Sequence, residues 1–176
     1  IPLRLVGSEM CIRDRHVADS LQLADLRPDV RTWADLGAGA GFPGLVIACT
    51  WHDTGRMMHL VESNHRKCAF LQEAARTLGL SVTVHNTRIE DAIPHLMTEK
   101  IEVVSARALA SLSQLIHYCA PLVDNHAEAL FPKGQDVDKE LTEATKYWNI
   151  SAHMIQSKTD PDGRIVSITK VETRAA

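Results

Sequence analysis

The chain has 176 residues, of which 45% are hydrophobic and 23% are charged, and its formal net charge at pH 7 is -3. This composition predicts one compact domain with a substantial core, and it excludes a disordered chain and a second full domain. No apolar run of about 18 residues is present and no secretory signal is evident, which excludes a membrane span and favours a cytoplasmic protein.

The first fifteen residues, IPLRLVGSEMCIRDR, differ in pattern from the rest of the chain. They lack a clear hydrophobic period and resemble a translated sequencing-adapter peptide, so we expect residues 1–15 to be a non-native or disordered extension. A native N-terminal strand or arm is the alternative. From Asp14 the apolar spacing predicts a helix that carries His16, Asp19 and Ser20 near the next segment, unless these residues only form a solvated helix face.

A glycine-rich turn follows the first predicted strand, residues 31–36, in the sequence DLGAGAGFPG. Glycine reaches backbone conformations that a Cβ atom forbids, and Gly37 and Gly39 would let a flat ligand lie against the main chain. Pro43 suits the first turn of the helix that follows. The segment therefore predicts a strand, a tight turn and a helix that together form a ligand site.

The spacing of these glycines separates two classes of cofactor. A dinucleotide fingerprint reads G-x-G-x-x-G and places a pyrophosphate at a helix N-terminus, whereas this chain has G-x-G-x-G. Asp35, two residues ahead of the first glycine, would point a carboxylate into the same cleft and so favours a cationic ligand. S-adenosylmethionine, with an ammonium, a sulfonium and no phosphate, fits that description. An ordinary glycine-rich turn without a ligand is the alternative.

An acidic residue ends the second predicted strand, residues 56–61. This residue, Glu62, is placed to accept hydrogen bonds from ribose hydroxyls. A helix is predicted at residues 64–78, with Arg66 and Lys67 near its beginning, the unfavourable end for positive charge. Both are therefore candidates for contact with a ligand or RNA, and a simple surface pair is the alternative.

Two further strands are predicted at residues 81–85 and 101–105. The loop at residues 88–91 would lie at the carboxyl end of the third strand and read the adenine edge through its backbone N–H groups. Arg107 follows the fourth strand within an apolar run, where a buried guanidinium needs partners. Direct contact with a ligand and a structural ion pair, with Glu90 or Asp35, are both open.

The C-terminal third continues the alternation of helices and strands. A capping box at Ser111 begins a helix, and a fifth strand at residues 127–131 leads to Lys133. A polar helix follows, and then two strands at residues 148–155 and 164–171. The pattern predicts an α/β fold with a mostly parallel sheet and an antiparallel C-terminal hairpin at one edge.

The four cysteines and nine histidines do not show the spacing of a metal site. The sequence contains no C-x-x-C or H-E-x-x-H motif, so a metal site is not expected. The cysteines are expected to be reduced thiols that mostly fill core positions.

The segments RHVADS, DLGAGAGFPG, RIED, SARALASL and PKG, in this order and at similar intervals, resemble the RsmG (GidB) family. Glu62 with Arg66 and Lys67 adds to the match, which extends over residues 15–170. Members of this family are bacterial enzymes that make a 7-methylguanosine in 16S ribosomal RNA of the small subunit. The resemblance implies a Rossmann-like class I S-adenosylmethionine-dependent methyltransferase fold over residues 16–176. It also implies ribosomal RNA as partner, and we expect a monomer.

The resemblance assigns roles to residues by their position in the matched segments. It implies that Gly37 and Phe42 hold the cofactor and that Ile89 and Glu90 meet its adenosine part. Arg107 would line the cleft between cofactor and substrate as the catalytic residue. Family members usually begin with further helices ahead of the R-H-x-x-D-S segment, and this chain is expected to lack them.

The inventory of side chains agrees with this chemistry. Guanine N7 has a free lone pair and no proton, so its methylation needs alignment and electrostatics but no general base. The absence of a His/Cys/Ser constellation from the sequence is therefore expected. Arg107 and Lys133 would grip phosphate or the guanine, which predicts salt-sensitive binding.

Two other functions stay open. The first is a methyltransferase of the same fold that acts on a small molecule or a protein. The slightly acidic net charge favours it, because such a charge argues against non-specific RNA binding by the whole surface. The second is an inactive cofactor-binding fragment, if the helices that the chain is expected to lack are needed for activity.

Overall fold

The computed structural model describes residues 12–174, with side chains from residue 14 onward. The strands in this range are β1 (Thr32–Leu36), β2 (Met57–Glu62), β3 (Val82–Asn86), β4 (Val103–Ala106), β5 (Glu128–Lys133), β6 (Trp148–Gln156) and β7 (Arg164–Thr173). The helices are α1 (Ile12–Leu26), α2 (Gly44–Thr50), α3 (His65–Thr77), α4 (Ile89–Leu96), α5 (Leu112–Asp124) and α6 (Val137–Ala144). Every predicted strand is present, with small shifts at its ends.

The strands form one sheet in the order β3-β2-β1-β4-β5-β7-β6. The first five are mutually parallel, whereas β7 is antiparallel to both β5 and β6. The predicted α/β fold with an antiparallel C-terminal hairpin is therefore confirmed. The hairpin differs from the prediction in one respect: the antiparallel strand β7 is interior, and β6 forms the edge. Burial explains this order, since Ile165, Val166 and Ile168 of β7 are buried whereas β6 alternates between half-buried and exposed residues.

Helices cover both faces of the sheet and create two cores. One core joins β-strand residues to α4, α5 and α6, and it includes Leu96, Leu115 and Ile116. The other joins the sheet to α1, α2 and α3, and it includes Leu23 and Leu71. Because both faces are covered, the central strand β4 is buried at all four residues, whereas the edge strand β3 consists of half-buried and exposed residues.

The order of the strands reverses between β1 and β4, which are neighbours although β2 and β3 lie between them in the sequence. In open α/β sheets such a reversal separates the connecting helices and opens a crevice at the carboxyl ends of the strands. The glycine-rich turn follows β1, Glu62 ends β2 and Arg107 follows β4. The topology therefore brings these three segments to one edge of the sheet.

Two sequence-based boundaries differ from the structure. The expected extension at residues 1–15 ends inside α1, which begins at Ile12, and its remaining residues, 1–11, lie outside the described range. The segment at residues 88–91 is not a loop, because α4 begins at Ile89. Pro94 obscured this short helix in the sequence, since proline disfavours a helix interior. In α4 it lies in the middle of an eight-residue helix that buries Ile89, Ala92, Ile93 and Leu96.

Candidate functional site

The crevice at the carboxyl ends of β1, β2 and β4 contains a cavity of about 520 Å³, which we call the strand-end cavity. Its walls come from the glycine-rich turn, the end of β2, the beginning of α4 and the segment after β4. The lining residues are Gly37, Ala38, Gly39, Ala40, Phe42, Val61, Glu62, Ser63, Lys67, Thr87, Arg88, Ile89, Glu90, Arg107, Ala108, Leu109 and Tyr118. A cavity of this size suits a small-molecule ligand.

The glycine-rich turn forms part of the cavity wall in the way that its sequence predicts. Gly37 and Gly39 have φ angles of 70° and 55°, in the left-handed region that favours glycine. The Gly37 N–H donates to the Val61 carbonyl oxygen at 2.8 Å, which ties the turn to β2. A Cβ atom on Gly37 would lie 2.8 Å from Leu109 Cδ1, so the exposed Leu109 side chain would have to move to admit one. The turn thus brings bare backbone to the cavity.

Asp35 does not project into the cavity, and this corrects the prediction from the sequence. The residue is buried, with 1% of its surface exposed. Its Oδ1 accepts a hydrogen bond from Ser105 Oγ at 2.9 Å, and its Oδ2 accepts one from the Gly44 N–H at 3.0 Å. The absence of a side chain on Gly44 makes this approach possible, because a Cβ atom there would lie 2.8 Å from Oδ2. Asp35 therefore joins β1 to the beginning of α2 and does not line the cavity.

Glu62 lies at the cavity wall, where the sequence places it. It is the last residue of β2 and is 8% exposed. Its Oε2 accepts from the Gly39 N–H at 3.0 Å and its Oε1 accepts from the Asn64 N–H at 2.8 Å. These bonds hold the carboxylate in one orientation and connect it to the glycine-rich turn. Lys67 also lines the cavity, with its Nζ 3.9 Å from Oε2, and its contact with a ligand stays a prediction.

Ile89 and Glu90 line the cavity from the first turn of α4. Ile89 is buried, which gives this part of the wall an apolar surface, and Glu90 is exposed. The first N–H groups of a helix have no partner within the helix, so the beginning of α4 offers backbone donors to a ligand. The expected backbone contact is therefore available from a helix terminus rather than from a loop.

Arg107 lines the strand-end cavity, but neither ion pair considered from the sequence forms within the described residues. Its Nη1 lies 2.7 Å from His16 Nδ1, and its Cζ lies 5.7 Å from the centroid of the Phe42 ring. Its buried Nε has no hydrogen-bond partner among residues 14–174. Ala108, the next residue, has a φ angle of 50°, which turns the chain sharply after β4. The sequence had no signal for the contact with His16.

A second, smaller cavity of about 180 Å³ adjoins the first and shares Arg107 with it. Lys133 lines this second cavity, but its ammonium group already has two partners. Its Nζ lies 2.8 Å from the Ala110 carbonyl oxygen and 2.8 Å from Glu140 Oε2. Contact with a phosphate would require Lys133 to exchange one of these partners, so its substrate role stays a prediction.

Some cavity residues were not identified from the sequence as site residues. Thr87, Leu109 and Tyr118 line the strand-end cavity from three separate segments. Tyr118 is half-buried on α5, a helix that also carries Ser113, Gln114 and His117, so nothing in the sequence singles it out. Single residues of this kind become visible only when the elements are packed together.

Burial gives Asp35 an expected effect on the pH dependence of stability. Burial raises the pKa of Asp35 to about 7, although hydrogen bonds from Ser105 and Gly44 and the charge of Arg107 act in the opposite direction. The folded protein then keeps a proton that the unfolded chain loses above its ordinary pKa of about 3.9. The contribution of Asp35 to the free energy of unfolding therefore falls as the pH rises from about 4 to about 7, by on the order of 4 kcal/mol.

The variant Asp35→Asn cannot titrate, so this loss should disappear. We expect its free energy of unfolding, relative to that of the unmodified protein, to increase between about pH 4.5 and about pH 8, as measured by urea denaturation. Burial lowers the pKa of His59 to about 4, so the contribution of His59 to stability rises with pH over part of the same range. Both proteins contain His59, so its contribution cancels in the difference between them. A constant difference across that range would contradict the prediction.

Within residues 14–174 no cluster of His, Cys, Asp and Glu side chains has the arrangement of a metal site. Cys68 and Cys119 are buried free thiols in the core, as expected, but Cys49 is exposed. Cys11 lies outside the described residues. No helix in the described part of the chain is both long and apolar enough to span a membrane.

The sequence matches a family of known proteins over most of its length. The family model for rRNA small subunit methyltransferase G matches residues 5–165. The protein named ribosomal RNA small subunit methyltransferase G from Bradyrhizobium diazoefficiens is 53% identical over 161 residues, which are 91% of this chain and 61% of that protein. The protein of the same name from Methylorubrum populi is 50% identical over 158 residues, covering 89% of this chain and 74% of that protein. The chain thus spans less than two thirds of the Bradyrhizobium protein.

Solved structures independently identify the fold. A mutant of MtNAS in complex with S-adenosylmethionine superimposes with a TM-score of 0.65 at 14% sequence identity, over 89% of this chain and 62% of the MtNAS chain. At this level of identity the similarity concerns the fold alone, and it agrees with the predicted Rossmann-like α/β architecture. The match to the family model and the identity with these relatives show that this chain belongs to the rRNA small subunit methyltransferase G family.

Proposed function

We propose that the strand-end cavity binds S-adenosylmethionine and that the chain transfers a methyl group to guanine N7 in 16S ribosomal RNA. The observation that carries this proposal is the meeting of three segments, represented by Gly39, Glu62 and Arg107, around one cavity. Membership in the family supports the same reaction. The chain spans 61% of the length of the Bradyrhizobium protein, so the activity of the whole protein is part of this proposal.

The polar groups at the strand-end cavity fit this cofactor. Each oxygen of Glu62 accepts one backbone N–H and keeps a further lone pair, so the carboxylate can accept hydrogen bonds from both hydroxyls of a ribose. Arg107 Nε is a buried donor that lacks a partner in the described part of the chain, and a buried donor requires one. A ligand acceptor oxygen or nitrogen would satisfy it. The bare backbone at Gly37 and Gly39 lets a flat ligand approach closely.

The proposed reaction requires that guanine N7 be aligned with the methyl group, and it requires no proton transfer. S-adenosylmethionine supplies a methyl group that is electrophilic because it is attached to a sulfonium. Guanine N7 has a free lone pair and no proton, so the residues of the chain need not act as a general base. Their task is to hold the base in line and to exclude water. Arg107 borders both cavities and can bind an acceptor on the guanine or its phosphate.

The second cavity supports RNA as the substrate. Arg15, Lys133 and Arg164 line it together with Arg107, and the carboxylates among its described lining residues are those of Asp19 and Asp160. The charge of Lys133 is balanced by Glu140, so the cationic excess comes from the three arginines. An excess of cationic side chains attracts phosphate, and binding through such groups weakens as salt is added. The chain therefore has a local basic surface at this cavity, although its net charge is slightly acidic.

The proposal is tested with small ribosomal subunits purified from a bacterial strain that lacks the methylation. After incubation with the chain and S-adenosylmethionine, nuclease digestion and mass spectrometry are expected to detect 7-methylguanosine in the RNA. Unmodified RNA, despite cofactor binding by calorimetry, would favour the inactive cofactor-binding fragment. Methylation of a metabolite or protein panel instead would favour the other alternative. A monomeric state and a cytoplasmic location stay predictions, which light scattering and cell fractionation can check.

A further inference from the structure

His16 on α1 contacts the guanidinium group of Arg107, although 91 positions separate the two residues in the sequence. His16 Nδ1 lies 2.7 Å from Arg107 Nη1. Phe42 contacts both groups: its ring centroid lies 5.7 Å from the His16 ring centroid and 5.7 Å from Arg107 Cζ. The guanidinium therefore packs against an imidazole and a phenyl ring where the two cavities meet.

This hydrogen bond determines the protonation state of His16. A guanidinium group has donors and no acceptor, so Nδ1 must be the acceptor and the ring proton of neutral His16 must lie on Nε2. A protonated imidazole has no acceptor, and it would place a second positive charge against Arg107. The observed contact consequently requires neutral His16.

We propose that neutral His16 is a positioning residue that holds the Arg107 guanidinium at the junction of the two cavities, and that protonation of His16 releases Arg107 and slows methyl transfer. This inference rests on the proposed function, because methyl transfer is the activity that would respond. His16 lines neither cavity, so its effect on the reaction passes through Arg107.

The charges around His16 favour the neutral ring. Burial and the charge of Arg107 lower the pKa of His16, Arg15 lowers it further, and Asp19 on the same helix raises it. These groups come from α1 and from the segment after β4, and the side chain that faces His16 from the glycine-rich turn, Phe42, is uncharged. His16 is therefore neutral at neutral pH and becomes charged only in more acidic solution.

Hydrogen bonds along α1 hold the backbone that carries His16 in place. Gln22 is buried, and its Nε2 donates to the Gln156 carbonyl oxygen at 2.8 Å while its Oε1 accepts from the Lys158 N–H at 2.9 Å. Ser20 Oγ donates to the His16 carbonyl oxygen at 2.6 Å. A side chain carried by a helix that is bonded at several points positions a functional group better than one on a loose segment.

Two variants of His16 separate positioning from a general structural role. In His16→Asn an amide oxygen can replace Nδ1 as acceptor and does not titrate, whereas His16→Leu removes the acceptor. Single-turnover methylation of unmodified small subunits is measured with each variant at saturating cofactor between about pH 5.5 and about pH 8.5. The rate for the unmodified protein is expected to fall in acid. His16→Asn should stay within about 5-fold at neutral pH and lose the acid dependence, and His16→Leu should be slower by about 10-fold or more at neutral pH.

A second measurement tests the contact without using activity. Nuclear magnetic resonance of histidine-labelled protein, with the His16 signal assigned from the His16→Asn spectrum, follows the titration of the imidazole. Replacing Arg107 with Gln removes the charge that disfavours protonation, so the pKa of His16 is expected to rise. This result is obtained even if no methyl transfer occurs, which keeps a failure of the inference distinct from a failure of the proposed function.

The inference is overturned by any of three results. One is an unchanged rate in His16→Leu, and another is an acid dependence that persists in His16→Asn. The third is a His16 titration that does not respond to Arg107→Gln.

Discussion

Replacing Arg107 with alanine is expected to slow methyl transfer to small ribosomal subunits by about 100- to 1000-fold, the range seen when an active site loses one preorganised donor. Arg107 is the one residue that both cavities share, and its buried Nε lacks a partner among the described residues. The alanine variant loses both the charge and the donor at the point where cofactor and base would meet. Single-turnover kinetics with saturating cofactor measures the effect on the transfer step itself.

The stability of the Arg107→Ala protein should change far less than its rate. Arg107 forms no ion pair within residues 14–174, so its removal leaves no buried carboxylate without a partner. Arg107→Lys keeps the charge but cannot present a planar pair of donors, so an intermediate rate is expected. Arg76→Ala is a matched control, because it removes an exposed arginine that lines neither cavity. A folded Arg107→Ala protein with a nearly normal rate would show that Arg107 has no catalytic role.

Replacing Glu62 with glutamine is expected to weaken the binding of S-adenosylmethionine by about 100-fold, as measured by calorimetry. Glu62 is an acceptor on both oxygens, whereas glutamine would turn an NH₂ group toward the N–H of Gly39 or Asn64. The side chain would then rotate or lose a bond, and the ribose would lose its paired acceptors. Loss of hydrogen bonds to a charged group costs about 1.5–3 kcal/mol each, which corresponds to this change in affinity.

The control for Glu62→Gln is Glu73→Gln, which removes the same charge from the exposed face of α3. It should leave cofactor affinity within about 2-fold of normal, because exposed charges at a distance are screened. Thermal unfolding distinguishes a lost ligand contact from a damaged fold, since Glu62 also bonds two backbone groups. Equal affinities of the two variants would remove Glu62 from the proposed ribose site.

The order of elements was largely predictable because its causes act over short stretches of sequence. The strand, turn and helix around Gly37 follow from an apolar run, from backbone conformations open to glycine, and from a second apolar run. The position of Glu62 at the end of β2 could be predicted for the same reason, because a strand delivers its last residue to a known edge.

The expectations that the structure corrects or leaves as predictions concern side chains whose partners lie elsewhere in the chain. Asp35 was expected to point into the cleft, but it is buried outside the cavity lining, where Ser105 and Gly44 donate hydrogen bonds to its two oxygens. The ammonium group of Lys133 is held by Glu140 and the Ala110 carbonyl. In each case the sequence indicated a charged group at the correct edge of the sheet and did not show where that group points.

The amino-acid sequence by itself determined the succession of helices and strands, the family and the location of the strand-end cavity. Glycine conformation, hydrophobic period and strand polarity are local properties, and each can be inferred from about ten residues. Only the tertiary structure decided that His16 binds Arg107 across 91 positions and that Asp35 binds Ser105 across 70. Those contacts, and the burial that raises the pKa of Asp35, depend on how the layers pack, because hydrogen bonding and desolvation are set by neighbours in space.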